Sequence, residues 1–170
     1  MGICSGYLER GLFQLLEYNA IKNRLEALCI NAAGEYYERP DDADVDDELH
    51  PRAIRHIDLW NHNVEFIEQE TAWDRPAVFI EFVPFKWNTI VPGVEYRAQP
   101  LINLHVVTDW AEQKNIGEFR LLDKIHEQLA GLKGKTFMEF DIDSSATNHN
   151  HEELVENIET YTCVGFRHLQ

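Results

Sequence analysis

The order of helix patterns and strand patterns along this chain limits its fold more than any other feature. Apolar residues recur with helical spacing in two segments, and five other segments alternate or form short apolar runs as strands do. In chain order these segments read α-β-β-β-α-β-β. Because helices and strands do not alternate one for one, the order predicts an α+β two-layer sandwich: one mainly antiparallel sheet with the helices packed on one face.

The two predicted helices cover residues 7–30 and 117–130. Each carries apolar residues at i, i+3, i+7 and i+10, which form one face of a helix with 3.6 residues per turn. These residues are Tyr18, Ile21, Leu25 and Leu28 in the first helix, and Leu122, Ile125, Leu129 and Leu132 in the second. Gly131 and Gly134 mark the end of the second helix, because glycine readily adopts the left-handed conformation that follows many helices.

The predicted strands are residues 54–60, 76–83, 98–110, 137–143 and 157–167. The segments between them, 61–75, 84–97 and 144–153, are predicted as loops. The clearest alternation lies in 98–110, where one side carries Ile102, Leu104 and Val106 and the other carries Asn103, His105 and Val107.

Length and charge limit the domain count and the partners. The 170 residues correspond to a single domain, 1–170, with an acidic loop insertion at about 31–53. The net charge is −15, from 30 acidic and 15 basic residues. A chain this acidic repels nucleic-acid phosphates and anionic lipid surfaces. We therefore expect neither specific nucleic-acid binding nor a membrane partner.

Motifs that carry catalysis or bind cofactors are missing from the sequence. It contains no phosphate-binding loop, dinucleotide fingerprint or His-Glu-x-x-His motif. The run from Asp42 to Asp46 begins like a calcium loop, but the glycine and glutamate that such a loop needs are replaced by Asp47 and Ala53. His149 and His151 could share a metal, yet no spaced partner ligands follow. We predict no catalytic residues, no cofactor and no metal site, and hence no enzyme.

Two groups of residues are candidates for protein contacts. Four aromatic residues fall in or beside the predicted connections: Trp73, Phe85, Trp87 and Tyr96. They either cap the ends of the core or form a protein-interface loop, since aromatic residues are enriched at interfaces. In 137–143 the alternation directs Phe140 and Ile142 inward and an acidic row outward: Glu139, Asp141 and Asp143. An edge strand of such a sheet could also add to a neighbour's sheet.

The layout of these elements resembles that of a known family. After the first helix come a strand ending in Trp60 and the segment Pro76-Ala-Val-Phe-Ile-Glu-Phe, then Leu101-Ile-Asn-Leu-His-Val-Val and Asp109-Trp110. The second helix and a strand pair containing Ser144-Ser145 and Glu159-Thr-Tyr-Thr-Cys-Val-Gly-Phe complete the pattern. This layout is similar to that of the tail terminator (tail completion, minor tail) proteins of long-tailed bacteriophages and prophages, over residues 5–30 and 54–168.

The resemblance implies a non-enzymatic structural protein with a two-layer fold and no cofactor. It implies a ring of identical subunits, often a hexamer, that terminates the tail tube and joins tail to head. The implied partners are copies of itself, the tail-tube protein and head–tail connector proteins. The implied location is the bacterial host cytoplasm during assembly and then the virion tail. In such a ring the acidic row would line the lumen and repel passing DNA; an ordinary solvated strand face is the alternative interpretation.

Two other functions remain open from the sequence. The charge of −15 suggests an acidic interaction inhibitor that mimics DNA, although much of this charge is concentrated in residues 41–48. His149, His151 and nearby acidic residues suggest a small metal-dependent hydrolase.

Overall fold

In the described part of the chain, a seven-stranded sheet carries two helices on one face, and a two-stranded sheet lies next to the helices. The computed structural model describes residues 10–60, 73–83, 86–92, 94–98, 101–109, 117–132, 137–148 and 154–168. At 10–13, 86–90, 94–98, 117–119, 137–139, 148, 154 and 164–168 the description covers the backbone alone.

The helices and strands have the following bounds in chain order: α1 (Arg10–Glu26), β1 (Leu28–Ile30), β2 (Tyr36–Glu38), β3 (His56–Leu59), β4 (Ala77–Phe82), β5 (Lys86–Val91), β6 (Val94–Ala98), β7 (Leu101–Asp109), α2 (Gly117–Leu129), β8 (Phe137–Asn148) and β9 (Leu154–His168). The predicted order of two helices among mainly antiparallel strands is confirmed, with β1–β2 and β5–β6 as additional hairpins.

Strand β9 organises the large sheet. One edge of β9 pairs antiparallel with β7, from Leu101 opposite Thr162 to Asp109 opposite Leu154. β6 continues along that same edge, and β8 pairs antiparallel with the other edge. β4 joins β7 antiparallel, β3 joins β4 in parallel, and β5 pairs with β6. The body of the sheet is therefore β3-β4-β7-β9-β8, extended at one end by the β5–β6 hairpin.

The alternation of β7 divides its side chains between two environments, as predicted. Ile102, Leu104 and Val106 are buried in the main core beneath the helices. That core also contains Ile21 and Leu25 of α1, Leu121, Ile125 and Leu129 of α2, and Val78 and Ile80 of β4. On the opposite face Val107 packs with Ala77 and Phe79 in a second, smaller cluster. The predicted two-layer α+β class is confirmed.

The end of α2 is set by glycine. Gly131 has a φ of 73°, a conformation that costs a residue with a Cβ atom roughly 1 kcal/mol or more. Its N–H donates to the carbonyl of Phe140 at 2.7 Å, so the chain leaving the helix is tied to β8. The predicted helix end at this glycine is confirmed.

The prediction for the end of the first helix was wrong. The helix ends at Glu26 instead of residue 30, and Leu28 contributes its apolar side chain to the core from strand β1. β1 and β2 form a hairpin whose turn is closed by Asn31, which accepts hydrogen bonds from the N–H groups of Ala33 and Glu35. The segment expected to be an acidic loop at 31–53 therefore contains a strand, followed by three consecutive turns.

Two predicted loops also contain strands. Residues 84–97 are predicted as a long connection, but Lys86–Val91 and Val94–Ala98 pair as a hairpin. Val91 lies opposite Val94, so only two residues separate the paired strands. In the predicted loop 144–153, β8 continues to Asn148 because its serine and threonine residues pair across the ribbon with polar residues of β9.

A matched pair of leucine substitutions tests the position of the core. Leu129 is fully buried beneath the sheet, whereas Leu49 is 82% exposed. We expect Leu129→Ala to lower the free energy of unfolding by about 2–5 kcal/mol, because it removes buried apolar surface and leaves a cavity. Leu49→Ala should change it by less than about 0.5 kcal/mol. Urea unfolding followed by circular dichroism measures both; equal losses would contradict the assigned core.

Candidate functional site

A buried histidine between two carboxylates is the most distinctive polar feature of the structure. His105 lies on the face of β7 that points away from the helices and is 5% exposed. Its Nδ1 lies 2.7 Å from Oε2 of Glu156 on β9, and its Nε2 lies 2.8 Å from Oε1 of Glu81 on β4. Both ring nitrogens are thus engaged by the two neighbouring strands.

Hydrogen bonds extend this cluster across three strands. Asn103 donates from Nδ2 to Oε1 of Glu81 at 3.0 Å, and Thr160 donates from its hydroxyl to Oδ1 of Asn103 at 2.7 Å. Burial opposes ionisation of Glu81, but the hydrogen bonds from Asn103 and His105 outweigh it and hold the pKa of Glu81 below its usual value.

Both contacts of His105 can be hydrogen bonds only when the cluster holds one proton beyond those of a neutral imidazole and two carboxylates. A neutral imidazole has one N–H group and can donate to only one carboxylate. Two short contacts from His105 to carboxyl groups therefore require a second N–H on the ring or a protonated carboxyl group. The arrangement can hold a proton between strands, but it offers no unengaged ring nitrogen to a substrate.

One aromatic side chain covers His105, and another packs on the same side of the sheet. The ring of Trp60 stacks on His105 with centroids 3.7 Å apart and planes 10° from parallel. Trp73 contacts Phe79 edge-on at 5.1 Å and stacks with His56 at 6.0 Å. Trp73, the first of the four predicted interface aromatics, thus packs against the smaller core cluster, which favours the capping interpretation for this residue.

The other predicted site residues lie apart from the histidine cluster or outside the described residues. Trp87 and Tyr96 belong to β5 and β6, so they lie in strands rather than in connections as expected; only their backbone is described. Phe85, His149 and His151 are outside the described residues.

The predicted acidic row lies on β8 at the edge of the sheet. Asp141 and Asp143 are exposed, and Glu139 is described by its backbone alone. Register shifts occur between Met138 and Asp141 and between Ile142 and Ser144, so simple alternation does not continue through this segment. Phe140 is fully buried as expected, but Ile142 is 36% exposed, which corrects its predicted inward position.

A second polar cluster lies between α2 and the β8–β9 ribbon. Glu159 is 4% exposed and accepts a hydrogen bond from the hydroxyl of Ser145. Burial raises the pKa of Glu159, although Ser145 and His126 partly offset this effect. Burial, reinforced by Glu159 and Asp141, also raises the pKa of the Tyr161 phenol. Within the described residues, the Tyr161 hydroxyl has no hydrogen-bond partner.

The acidic loop borders a shallow groove of about 430 Å³. Its walls carry both signs of charge, including Asp46, Asp47 and Arg52. Arg52 already pairs with Glu26 at 3.3 Å, and His50 contacts the hydroxyl of Tyr37 at 2.9 Å. Arg52 and His50 therefore tie this loop to the end of α1 and to β2.

The outer edge of β8 has two unlike halves. In residues 137–143 two register shifts interrupt the ladder, and the N–H of Ile142 donates to the carboxylate of Asp141 at 2.8 Å. We call residues 144–148 the distal segment. It pairs with β9 without a shift, from Ser144 opposite Thr160 to Asn148 opposite Glu156, and its side chains at 144–147 are all exposed.

Within the described part of the chain, no three or more histidine, cysteine, aspartate or glutamate residues are grouped to hold a metal ion. No helix there is both long and apolar enough to cross a bilayer.

No protein-family model matches the chain, and no curated protein matches it significantly.

Sequence reasoning did not find the histidine cluster. It placed His105 and Asn103 on one side of a strand but could not determine which residues of β4 and β9 lie opposite them. The available signal was that Glu81 interrupts the apolar run 77–83 and that His105 interrupts the run 101–107. Buried polar residues in adjacent strands commonly pair with one another.

Substitution of Glu81 by glutamine tests the cluster through pH dependence. Since the folded-state pKa of Glu81 is lowered, its carboxylate adds stability that is complete above the unfolded-state pKa of about 4.3 and is lost as pH falls through the folded-state pKa. We expect Glu81→Gln to be less stable than the wild type at neutral pH, and we expect this difference in the free energy of unfolding to disappear as the pH falls. Urea unfolding at several pH values measures this difference.

Substitution of Glu159 by glutamine should change the stability at neutral pH in the opposite direction. Because the folded-state pKa of Glu159 is raised, the folded chain holds this proton more tightly than the unfolded chain, and the ionised group is unfavourable at neutral pH. Glu159→Gln should therefore be more stable than the wild type at neutral pH, and its advantage should shrink as pH falls. Changes of the same sign in both variants would contradict the assigned environments.

Proposed function

We propose that this protein is a non-enzymatic structural component of a phage or prophage tail. Its copies form a ring that terminates the tail tube and joins tail to head. Its partners are other copies of itself, the tail-tube protein and head–tail connector proteins. It acts in the bacterial host cytoplasm during assembly and in the tail of the virion.

This proposal rests on one observation: the large sheet has free strand edges, and these edges differ from one another. Among the described strands, β8 pairs only with β9, β3 only with β4, and β5 only with β6. Unpaired strand edges are ready sites for pairing with another chain. When the two edges that meet are different, the contact is head-to-tail, and repeated head-to-tail contacts close into a ring if the rotation between copies permits it.

The contacts of His105 favour a structural role for this residue over a catalytic one. A general base needs a nitrogen within reach of the proton it takes from its substrate. Both nitrogens of His105 contact protein carboxylates at 2.7 and 2.8 Å, and one face of the ring is covered by Trp60. These contacts join β4, β7 and β9 and cross-link the sheet.

The acidic surface is compatible with a ring around DNA. Exposed carboxylates such as Asp141 and Asp143 on β8 repel phosphates and so keep passing DNA from adhering. With a net charge of −15, the subunits also repel one another. Moderate salt screens that repulsion, so self-association should strengthen as salt rises from low concentration.

Light scattering coupled to size-exclusion chromatography tests the proposal. We expect the purified chain, alone or with tail-tube protein, to reach a mass that is a multiple of the 19.8 kDa subunit and greater than a dimer. Electron micrographs of that fraction should show closed rings, and tail-tube protein alone serves as the control. A chain that remains monomeric at every salt concentration, with and without tail-tube protein, would contradict the proposal. Binding to a basic protein that salt abolishes would favour the DNA mimic instead.

A further inference from the structure

We infer that the distal segment of β8 is the surface on which a second copy of this chain docks, and that it pairs with strand β5 of that copy. The inference rests on the proposed ring and specifies its subunit contact. The contact is β-strand addition: main-chain hydrogen bonds join the outer edge of residues 144–148 to the outer edge of Lys86–Val91 in the neighbour.

The two halves of β8 differ in their capacity to accept another strand. In residues 137–143 the register shifts bend the edge, and Asp141 occupies the N–H of Ile142. Both features are ways in which proteins prevent edge-to-edge pairing. The distal segment has neither feature: its register is unbroken and it contains no charged residue. Strand addition is therefore blocked along one half of β8 and open along the other.

Charge selects the partner edge. Two copies of a chain with a net charge of −15 approach most easily where neither edge carries an acidic side chain. Strand β3 carries Asp58, whose carboxylate also accepts the N–H of Leu59 at 2.8 Å. Strand β5 contains one lysine and no acidic residue. Of the free edges in the described part of the chain, the distal segment and β5 are the two without an acid.

The two segments also match in length. β5 has one register shift, between Thr89 and Val91, so its uninterrupted part is 86–89; the five residues of the distal segment can cover this part along about 14 Å of strand. The exposed residues at 144–147 are serine, alanine and threonine, which are small enough to admit a neighbouring backbone. Val91, at the end of β5, is 52% exposed and adds an apolar contact near the turn. Because β8 and β5 are different strands, their contact is head-to-tail, as a ring requires.

Two acid substitutions and their mixture test this contact. Ala146→Asp places a carboxylate in the distal segment, and Asn88→Asp places one in β5 with almost no change in volume. Val45→Asp is the matched control, because Val45 is exposed in a loop that is already acidic. We expect each of the first two variants to weaken self-association by about tenfold or more, since the new carboxylate would be desolvated at the contact without an ionic partner that either wild-type edge is known to supply. Val45→Asp should assemble as the wild type does.

Mixing the two variants distinguishes a head-to-tail contact from a symmetric one. A copy with Ala146→Asp still presents an intact β5, and a copy with Asn88→Asp still presents an intact distal segment. Their mixture should therefore form a one-to-one dimer although neither variant assembles alone, as light scattering can detect. Circular dichroism and thermal unfolding establish that both variants are folded.

Three results would overturn the inference. The first is a wild-type ring that both variants leave intact, in which case the proposed function stands and this contact is wrong. The second is weakening by Ala146→Asp alone without recovery in the mixture, which indicates a two-fold β8–β8 contact. The third is a wild type that stays monomeric with tail-tube protein present, which removes the proposed function together with the contact.

Discussion

The pairing of β7 with β9 is the interaction on which the rest of this structure depends. Nine consecutive residue pairs fix the register, from Leu101–Thr162 to Asp109–Leu154. Because side chains alternate along a strand, a shift by one residue would move Ile102, Leu104 and Val106 out of the core and bring His105 into it. The apolar face under the helices, the polar cluster on the other face and the position of β8 at the sheet edge all follow from this register.

The polar cluster makes that register more specific. Burial of a carboxylate such as Glu156, 3% exposed, costs several kcal/mol unless a partner of suitable charge and geometry is present. His105 reaches both Glu156 and Glu81 only when β4, β7 and β9 have their observed alignment. An alternative alignment would separate these groups and leave buried charge without compensation. We regard the cluster as a constraint on the alignment of β4, β7 and β9 at the centre of the sheet.

Much of the fold could be predicted from residue patterns, because burial imposes a period on the sequence. The apolar residues of α2 and the two-sided pattern of β7 are the clearest cases. The β5–β6 hairpin was missed because proline and glycine, here Pro92 and Gly93, are typical of long connections as well as of short turns. The distal segment of β8 was missed because Ser145 and Thr147 add nothing to an apolar pattern. Their hydrogen bonds to Glu159 and Asn157 across the strands stabilise this part of the ribbon instead. Contacts between strands distant in sequence, such as Glu81 with His105, depend on register, which a single sequence does not encode locally.

An account of assembly through sheet edges is tested most directly by hydrogen exchange of backbone amides in the isolated and the assembled chain. Strand addition gives hydrogen-bond partners to main-chain N–H groups that face solvent in the free subunit. It does not change the hydrogen bonding of residues 141–143 of β8. The account predicts that amides of residues 144–148 and of β5 become protected on assembly while those of 141–143 change little. Protection that appears elsewhere on the surface, with both of these segments unchanged, would contradict it.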